Sequence, residues 1–233
     1  MKKRTPFEFS LRLSRSETVL GLGYLLAELF LLPSLLMSLS AAVGGLSDAT
    51  VNFIYYILNA LFCVLIFRRL LGQSVEMAGK RFFRLIGVTL FTFAVLYGAT
   101  WVQNGLIQWM LPDFSNVNDA AIAVMVGAHP ILMGLGTMVL VPIAEECLFR
   151  GLLFVPFYKA RRSFAYILSA LAFCGVHVIG YVGIYPPQTL IVCFFQYLLA
   201  GLLLGWACGA SGSLFAPMLV HSAFNAVSFF TLR

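Results

Sequence analysis

Long apolar runs separated by short polar segments make up most of this chain. A transmembrane helix needs about 20 predominantly apolar residues, and most of the runs reach or approach that length. Seven runs are predicted to span a bilayer, at residues 19–40, 52–67, 85–111, 120–158, 163–182, 189–208 and 214–232. An eighth span follows if residues 115–128 cross separately. The pattern therefore predicts an all-α fold, a polytopic transmembrane helical bundle of about seven to eight spans.

Prolines and one acidic residue interrupt the apolar runs. The prolines predict departures from straight helices. Pro33 predicts a kink in the first span, because proline removes a backbone donor and its ring clashes with the preceding turn. The overlong fourth run is predicted to break near His129 and Pro130, since the residue before a proline disfavours helix. Glu28 lies inside the first span, where it either faces a polar cavity or pairs with an interior donor.

Composition narrows the class of protein. Hydrophobic residues make up 61% of the 233 residues and charged residues 10%, which excludes an ordinary soluble globular domain. No polar stretch is long enough to fold as a second domain. Residues 1–233 are therefore predicted to form a single membrane domain, with a cytoplasmic lead-in at 1–17 and the helices that carry the candidate chemistry at 120–232.

The formal net charge of +6 is informative through its distribution. Lys and Arg lie in the lead-in and in the loops 68–84 and 159–162, whereas the loops 41–50, 112–119 and 183–188 contain none. This alternation predicts a cytoplasmic amino terminus, and it gives no indication of a nucleic-acid partner. Basic and aromatic residues at 80–84 suit an anionic membrane surface, so membrane lipids are expected partners; a plain loop is the alternative.

All five cysteines lie in apolar runs with no paired spacing: Cys63, Cys147, Cys174, Cys193 and Cys208. They are predicted to be free, packed thiols rather than disulfides. Cys147 is a rival candidate nucleophile because it adjoins two glutamates. It has no adjacent base, however, and it points about 200° around the helix from Glu145. We therefore interpret Cys147 as a packed thiol.

Three charged side chains, Glu145, Glu146 and Arg150, lie inside the fourth apolar run. Ionisable groups at bilayer depth are costly, so they are either paired or used for function. Glu146 and Arg150 are four residues apart and share a helix face, which predicts an ion pair. Glu145 lies about 100° around the helix and lacks that partner. A buried salt bridge with Glu145 as a bystander is the structural alternative, and we favour a functional role.

Two further pairs of residues place polar side chains inside apolar spans. Phe173 and His177 share one face of the fifth span, and His221 and Asn225 share one face of the seventh. Each histidine alone is typical of a core residue whose hydrogen bonds are satisfied. A functional role for either histidine therefore depends on whether it lies close to Glu145.

Depth along the helices indicates that these side chains converge. Glu145 and His177 lie on the two helices joined by the basic loop at 159–162, each roughly 20 Å from that loop. His221 and Asn225 lie roughly 12 to 18 Å beyond the next connection on the same side. One acid, two imidazoles and an amide are thus predicted to meet in a polar intramembrane cavity. A carboxylate can act as a general base there, while imidazole and amide donors can stabilise an oxyanion. The residues therefore favour carbonyl hydrolysis inside the membrane.

The three motifs also resemble those of a known family. In order and spacing, Glu145-Glu146-x-x-x-Arg150, Phe173-x-x-x-His177 and His221-x-x-x-Asn225 are similar to the motifs of the CAAX-protease and bacteriocin-processing family, also called the Abi or CPBP family. The resemblance covers about the last hundred residues, and the first half carries no such motif. It implies a multi-pass protein of a prokaryotic plasma membrane and a peptide or lipidated protein as substrate.

The resemblance also implies roles for these residues, those of a glutamic-type intramembrane endopeptidase. Glu145 would activate water, and His177 would help to hold that water. His221 and Asn225 would form the oxyanion hole. Glu146 and Arg150 would brace the site, and Phe173 would support it as the first residue of its motif.

A zinc-dependent membrane protease built from the same residues is an alternative. Glu145, His177 and His221 are ligand types of a catalytic zinc site, and Glu146 would then act as the base. The predicted pairing with Arg150 holds Glu146 away from water, and the cation disfavours a divalent metal ion nearby. We therefore predict hydrolysis without a metal or other cofactor.

Two alternatives lie outside protease chemistry. A proton-coupled transporter could use Glu28, Glu145 and the histidines as a relay, but such proteins often contain internal repeats, and none is seen in this sequence. A non-catalytic immunity protein could retain the motifs for packing alone.

Overall fold

The computed structural model describes residues 8–231, so the first seven residues of the predicted lead-in lie outside the described part. Helices dominate this range, and the one β-bridge within it joins Val182 to Tyr185. In chain order the helices are α1 (Arg15–Phe30), α2 (Leu32–Ala42), α3 (Asp48–Ile66), α4 (Arg68–Lys80), α5 (Phe82–Met110), α6 (Val117–Ala128), α7 (Pro130–Tyr158), α8 (Arg162–Ile179), α9 (Pro187–Ser211) and α10 (Phe215–Thr231). The all-α prediction is confirmed.

Length and composition identify the membrane spans among these helices. Between residues 8 and 231, five helices are long and apolar enough to cross a bilayer: α3, α5, α7, α8 and α9. The pair α1 and α2, bent by 49°, makes a sixth if it counts as one span. This number is lower than the seven to eight expected, because α10 has 17 residues and α6 has 12. The chain is an integral membrane protein built as a polytopic helical bundle.

The two breaks predicted from proline are present. α1 ends at Phe30, and Pro33 occupies the first turn of α2, where its missing N–H leaves no hydrogen bond unmade. α6 ends at Ala128 and α7 begins at Pro130, with His129 between them in a non-helical conformation. The alternative of a plain loop across 80–84 is wrong, because α4 extends to Lys80 and α5 begins at Phe82.

Two π-helical turns interrupt α7, over Gly136–Leu140 and Glu146–Leu152. The first turn ends two residues before Pro142, which has no N–H to donate and so breaks the regular ladder of hydrogen bonds. Gly136 packs against the Tyr56 ring so closely that a Cβ would not fit. Contacts of this kind hold α3 against the middle of α7. The second π turn carries the charged motif, and all seven of its residues are buried.

The described part of the lead-in packs against the bundle. Phe9 and Leu11 are buried, and the Phe9 ring lies 4.5 Å from the ring of Tyr158 at the end of α7. Glu17 is also buried and accepts a hydrogen bond from the Leu70 amide at the start of α4. This segment therefore ties α1 and α4 to the end of the helix that carries the charged motif.

Candidate active site

A cavity of about 530 Å³ lies inside the bundle. Glu145, His177, His221 and Asn225 all line it, although they belong to three different helices. The convergence predicted from helix depth is therefore present in the structure, and so is the predicted polar intramembrane cavity.

The ion pair predicted between Glu146 and Arg150 lies beside this cavity. Arg150 Nη1 donates to Glu146 Oε1 at 3.0 Å, and both side chains are completely buried. Arg150 Nη2 donates to the Gly201 carbonyl at 3.1 Å, and the guanidinium carbon lies 4.7 Å from the centre of the Phe173 ring. A buried charge needs such partners to offset the loss of its hydration.

Close packing between α8 and α9 brings the Gly201 carbonyl to Arg150. A Cβ on Gly201 would lie 3.0 Å from the Cα of Ala170, so a glycine is needed at this contact. Small residues allow membrane helices to approach in this way. The side chain of Arg150 is thus held by α7, α8 and α9 together.

His221 is bound to the same carboxylate as Arg150, a contact that the sequence analysis did not predict. Its Nδ1 lies 2.9 Å from Glu146 Oε1. A carboxylate paired with a guanidinium only accepts hydrogen bonds, so this contact assigns a proton to Nδ1. The other ring nitrogen, Nε2, lies 3.9 Å from Glu145 Oε2, which is too long for a direct hydrogen bond. Glu146 therefore fixes the orientation and the tautomer of His221.

Glu145 is less constrained than Glu146. Its side chain is 19% exposed, and its Oε2 makes no hydrogen bond within the described residues. Oε2 of Glu146 also lacks a partner, but the other oxygen of Glu146 binds both Arg150 and His221. Of the two adjacent carboxylates, Glu145 is the one that lines the cavity, and its side chain is partly exposed there.

His177 is held by its own helix and by an aromatic neighbour. Its Nδ1 lies 2.7 Å from the Phe173 carbonyl, an acceptor, so Nδ1 carries a proton and Nε2 is the acceptor nitrogen of the neutral ring. The imidazole stacks on Tyr197 with ring centres 4.1 Å apart. The Phe173 ring lies between the two histidines, 4.7 Å from His177 and 5.8 Å from His221.

Asn225 is anchored through one hydrogen of its amide. Its Nδ2 donates to the Thr137 carbonyl at 2.8 Å. An asparagine amide has two N–H donors, so one of them remains for a ligand in the cavity. Thr137 lies in the first π turn of α7, which therefore takes part in orienting this side chain.

The same geometry bears on the metal and thiol alternatives. From residue 8 to residue 231 there is no group of three or more His, Cys, Asp and Glu side chains that could hold a metal ion. Glu145, His177 and His221 do not form such a group, although they share a cavity. All five cysteines are free and buried, as predicted, and Cys147 packs in the core with Cys63 and Phe67 rather than in the cavity.

The opposite wall of the cavity contains residues that the sequence analysis largely missed. Glu28 accepts a hydrogen bond from the Tyr55 hydroxyl at 3.1 Å and also lines the cavity, so both suggestions made for it hold. Carboxamides of the first half are also part of this wall: Asn52, Asn59, Gln103, Asn104, Asn116 and Asn118. The sequence signal that could have identified them is the presence of polar side chains inside apolar runs.

A comparison with known protein families gives evidence that is independent of this geometry. Residues 127–227 match the model of a family described as type II CAAX prenyl endopeptidase Rce1-like. The matched segment includes all three motifs, and the resemblance inferred from them is confirmed. No curated protein and no solved structure matches the chain. The match supports the function of a membrane protease. Residues 127–227 of this chain are therefore similar to the type II CAAX prenyl endopeptidases of the Rce1-like family.

Proposed function

We propose that this protein is a glutamic-type intramembrane endopeptidase that hydrolyses a peptide bond of a membrane-associated or lipidated protein or peptide. The observation that carries the proposal is the difference between the two adjacent glutamates. Glu146 is fully buried and binds Arg150 and His221, whereas Glu145 lines the cavity with a side chain that is 19% exposed. A general base needs an oxygen within reach of the water it deprotonates, and only Glu145 meets that requirement.

His177 assists Glu145 by holding the water. Its Nδ1 donates to the Phe173 carbonyl, so Nε2 is free to accept a hydrogen bond from water. The water donates its second hydrogen to Glu145 and attacks the substrate carbonyl carbon. Glu145 takes the proton as the carbon–oxygen bond forms and the carbonyl oxygen becomes an oxyanion.

The oxyanion is stabilised by Asn225 and His221. Asn225 contributes the N–H that is not bonded to Thr137. His221 donates through Nε2 only in its doubly protonated form, because Nδ1 is already committed to Glu146. Nε2 of His221 lies 3.9 Å from Oε2 of Glu145, so the proposed oxyanion donor and the proposed base are adjacent.

Collapse of the intermediate completes the reaction. The carbon–nitrogen bond breaks, and the proton held by Glu145 passes to the leaving amine nitrogen. The products are a carboxylic acid and an amine, and Glu145 returns to its ionised state. The reaction as proposed needs no metal ion, and the nearby Arg150 cation disfavours the binding of a divalent one.

The test is hydrolysis by purified protein, in lipid nanodiscs, of prenylated and unmodified peptide libraries. Glu145→Gln keeps the shape of the side chain and removes the base, so the rate is expected to fall by about 10²- to 10⁴-fold. Glu76→Gln is the matched control, because Glu76 is exposed on α4, where it pairs with Lys80. Retention of most activity in Glu145→Gln would refute the role assigned to Glu145.

The orientation in the membrane is part of the proposal. The distribution of Lys and Arg supports a cytoplasmic amino terminus. Single cysteines at the exposed positions Val75, Ala160 and Ser115 test it by labelling in intact cells, with the native cysteines buried. Val75→Cys and Ala160→Cys are expected to react only from the cytoplasm, and Ser115→Cys only from outside. External labelling at Ala160→Cys would invert the orientation.

A further inference from the structure

We propose that Tyr197 is a positioning residue for His177, and that Asp119 fixes Tyr197 in that role. The proposal rests on the proposed function, since it gives His177 its task, but the contacts that carry it are independent of the reaction. Both residues lie outside the three motifs. They belong to α9 and α6, whereas His177 belongs to α8.

The imidazole of His177 is only partly fixed by its own helix. The hydrogen bond from Nδ1 to the Phe173 carbonyl restrains one edge of the ring. The ring is half-buried on the cavity wall, so packing does not surround it completely. Face-on stacking with Tyr197, at 4.1 Å and an angle of 27° between the ring planes, supplies the second restraint. Together the two contacts determine where Nε2 points.

The hydroxyl of Tyr197 is held by three side chains at the start of α6. It donates to Asp119 Oδ1 at 2.8 Å or to Asn116 Oδ1 at 3.2 Å, and it accepts from Asn118 Nδ2 at 3.2 Å. A phenol has one hydrogen, and the shorter contact favours Asp119 as its acceptor. Tyr197 is therefore fixed at its hydroxyl as well as at its ring.

The start of α6 is itself anchored to α9. Asn116 caps the helix by accepting from the backbone amides of Asn118 and Asp119, and its Nδ2 donates to Gln196 Oε1 at 2.9 Å. Gln196 is the chain neighbour of Tyr197. The hydroxyl and its acceptors therefore belong to one connected group, and a shift of the ring requires several hydrogen bonds to break.

The direct test measures the proton position and the chemical shifts of the His177 ring. It uses nitrogen NMR of the histidine side chains in the full-length protein in nanodiscs. The chain has three histidines, so His129→Gln and His221→Gln spectra leave His177 assigned. We expect a proton on Nδ1 in the wild type. Tyr197→Leu is expected to shift the His177 resonances, and Tyr197→Phe to preserve most of the stacking shift. Unchanged His177 resonances in Tyr197→Leu would overturn the proposal, whether or not the protein hydrolyses peptides.

Kinetics supply a second readout that a merely structural residue would not move. Tyr197→Leu is expected to lower kcat by about 10- to 100-fold, because small misplacements of catalytic groups are costly, with KM within about twofold. Tyr197→Phe is expected to recover activity to within about tenfold of wild type. Asp119→Asn keeps an acceptor for the hydroxyl and is expected to resemble wild type.

Tyr97→Leu is the matched control for both measurements. Tyr97 stacks on Phe93 with ring planes 21° apart, but it lies on α5 and does not line the cavity. An equal effect of Tyr97→Leu, or a change in KM alone in Tyr197→Leu, would contradict a positioning role. If Glu145→Gln remains active while the His177 resonances still depend on Tyr197, the proposed function fails and this inference stands.

Discussion

The two walls of the cavity differ in how their charged groups are held. On the wall formed by α7 to α10, Glu146 and Arg150 are completely buried and linked to each other, to His221 and to the backbone of α9. On the wall formed by α1, α3, α5 and α6, Glu28 and Asp119 are bound mainly through tyrosine hydroxyls and carboxamides. The family match covers 127–227, which is the first wall and excludes most of the second.

This difference separates two tasks of a protease site. Catalytic groups must be held within fractions of an ångström of their working positions, and a buried, cross-linked set of charges achieves that. Side chains that contact other parts of a substrate can be substituted with a smaller loss of stability when each makes few hydrogen bonds within the protein. We therefore expect substitutions in the first wall to affect stability and rate, and those in the second, apart from Asp119, to affect the choice of substrate.

The largest effect on stability is expected from Glu146→Gln. It removes the charge that offsets Arg150, and an unpaired buried guanidinium costs about 3 to 5 kcal/mol in the free energy of unfolding. Chemical unfolding in mild detergent micelles measures this, with the exposed Glu76→Gln as control, for which no measurable change is expected. The double variant with Glu146→Met and Arg150→Met removes both charges and should recover much of the loss. Wild-type stability in Glu146→Gln would contradict the assigned pairing.

Much of the first wall was predictable from the sequence. The spacing of Glu146 and Arg150 indicated the ion pair, and counting residues from the basic loop indicated that Glu145 and His177 lie at one depth. The link between Glu146 and His221 was not predictable, because it depends on how α10 rotates against α7. The π turns were also missed, since they depend on hydrogen-bond register and not on residue type.

The second wall was much harder to predict. Its carboxamides are scattered through separate runs, and a single Asn or Gln in an apolar helix has many possible partners. Only tertiary packing shows that Asn52, Asn104 and Asn118 face one cavity. The helical character of 68–80 was missed for a related reason. Its low hydropathy suggested a loop, but Leu70 and Ser74 bury one face against the bundle.

A smaller effect, on selectivity, is expected from Glu28→Gln in the second wall. No Lys or Arg lines the cavity within the described residues, whereas Glu28 and Asp119 both do. A basic side chain in a substrate is therefore favoured over an acidic one. Glu28→Gln is expected to lower the ratio of kcat/KM for a lysine peptide to that for the matching glutamate peptide by about 3- to 10-fold.

The control for this prediction is Asp113→Asn, an equal change of charge at an exposed position that does not line the cavity. That variant should leave the ratio unchanged. A uniform fall in kcat/KM for both peptides would instead show that Glu28 belongs with the catalytic wall, and the division between the two walls would be wrong.

The smallest effect is expected from removal of metal ions. A zinc mechanism would need Glu145, His177 and His221 as ligands and Glu146 as the base. The structure commits Glu146 to Arg150 and His221, and it orients Nδ1 of His221 toward that carboxylate. Exhaustive chelation is therefore expected to change kcat/KM by less than about twofold. Metal analysis of the active protein is the matching measurement. Stoichiometric zinc, with activity lost on its removal and restored on its return, would make the first wall a metal site and Glu145 a ligand.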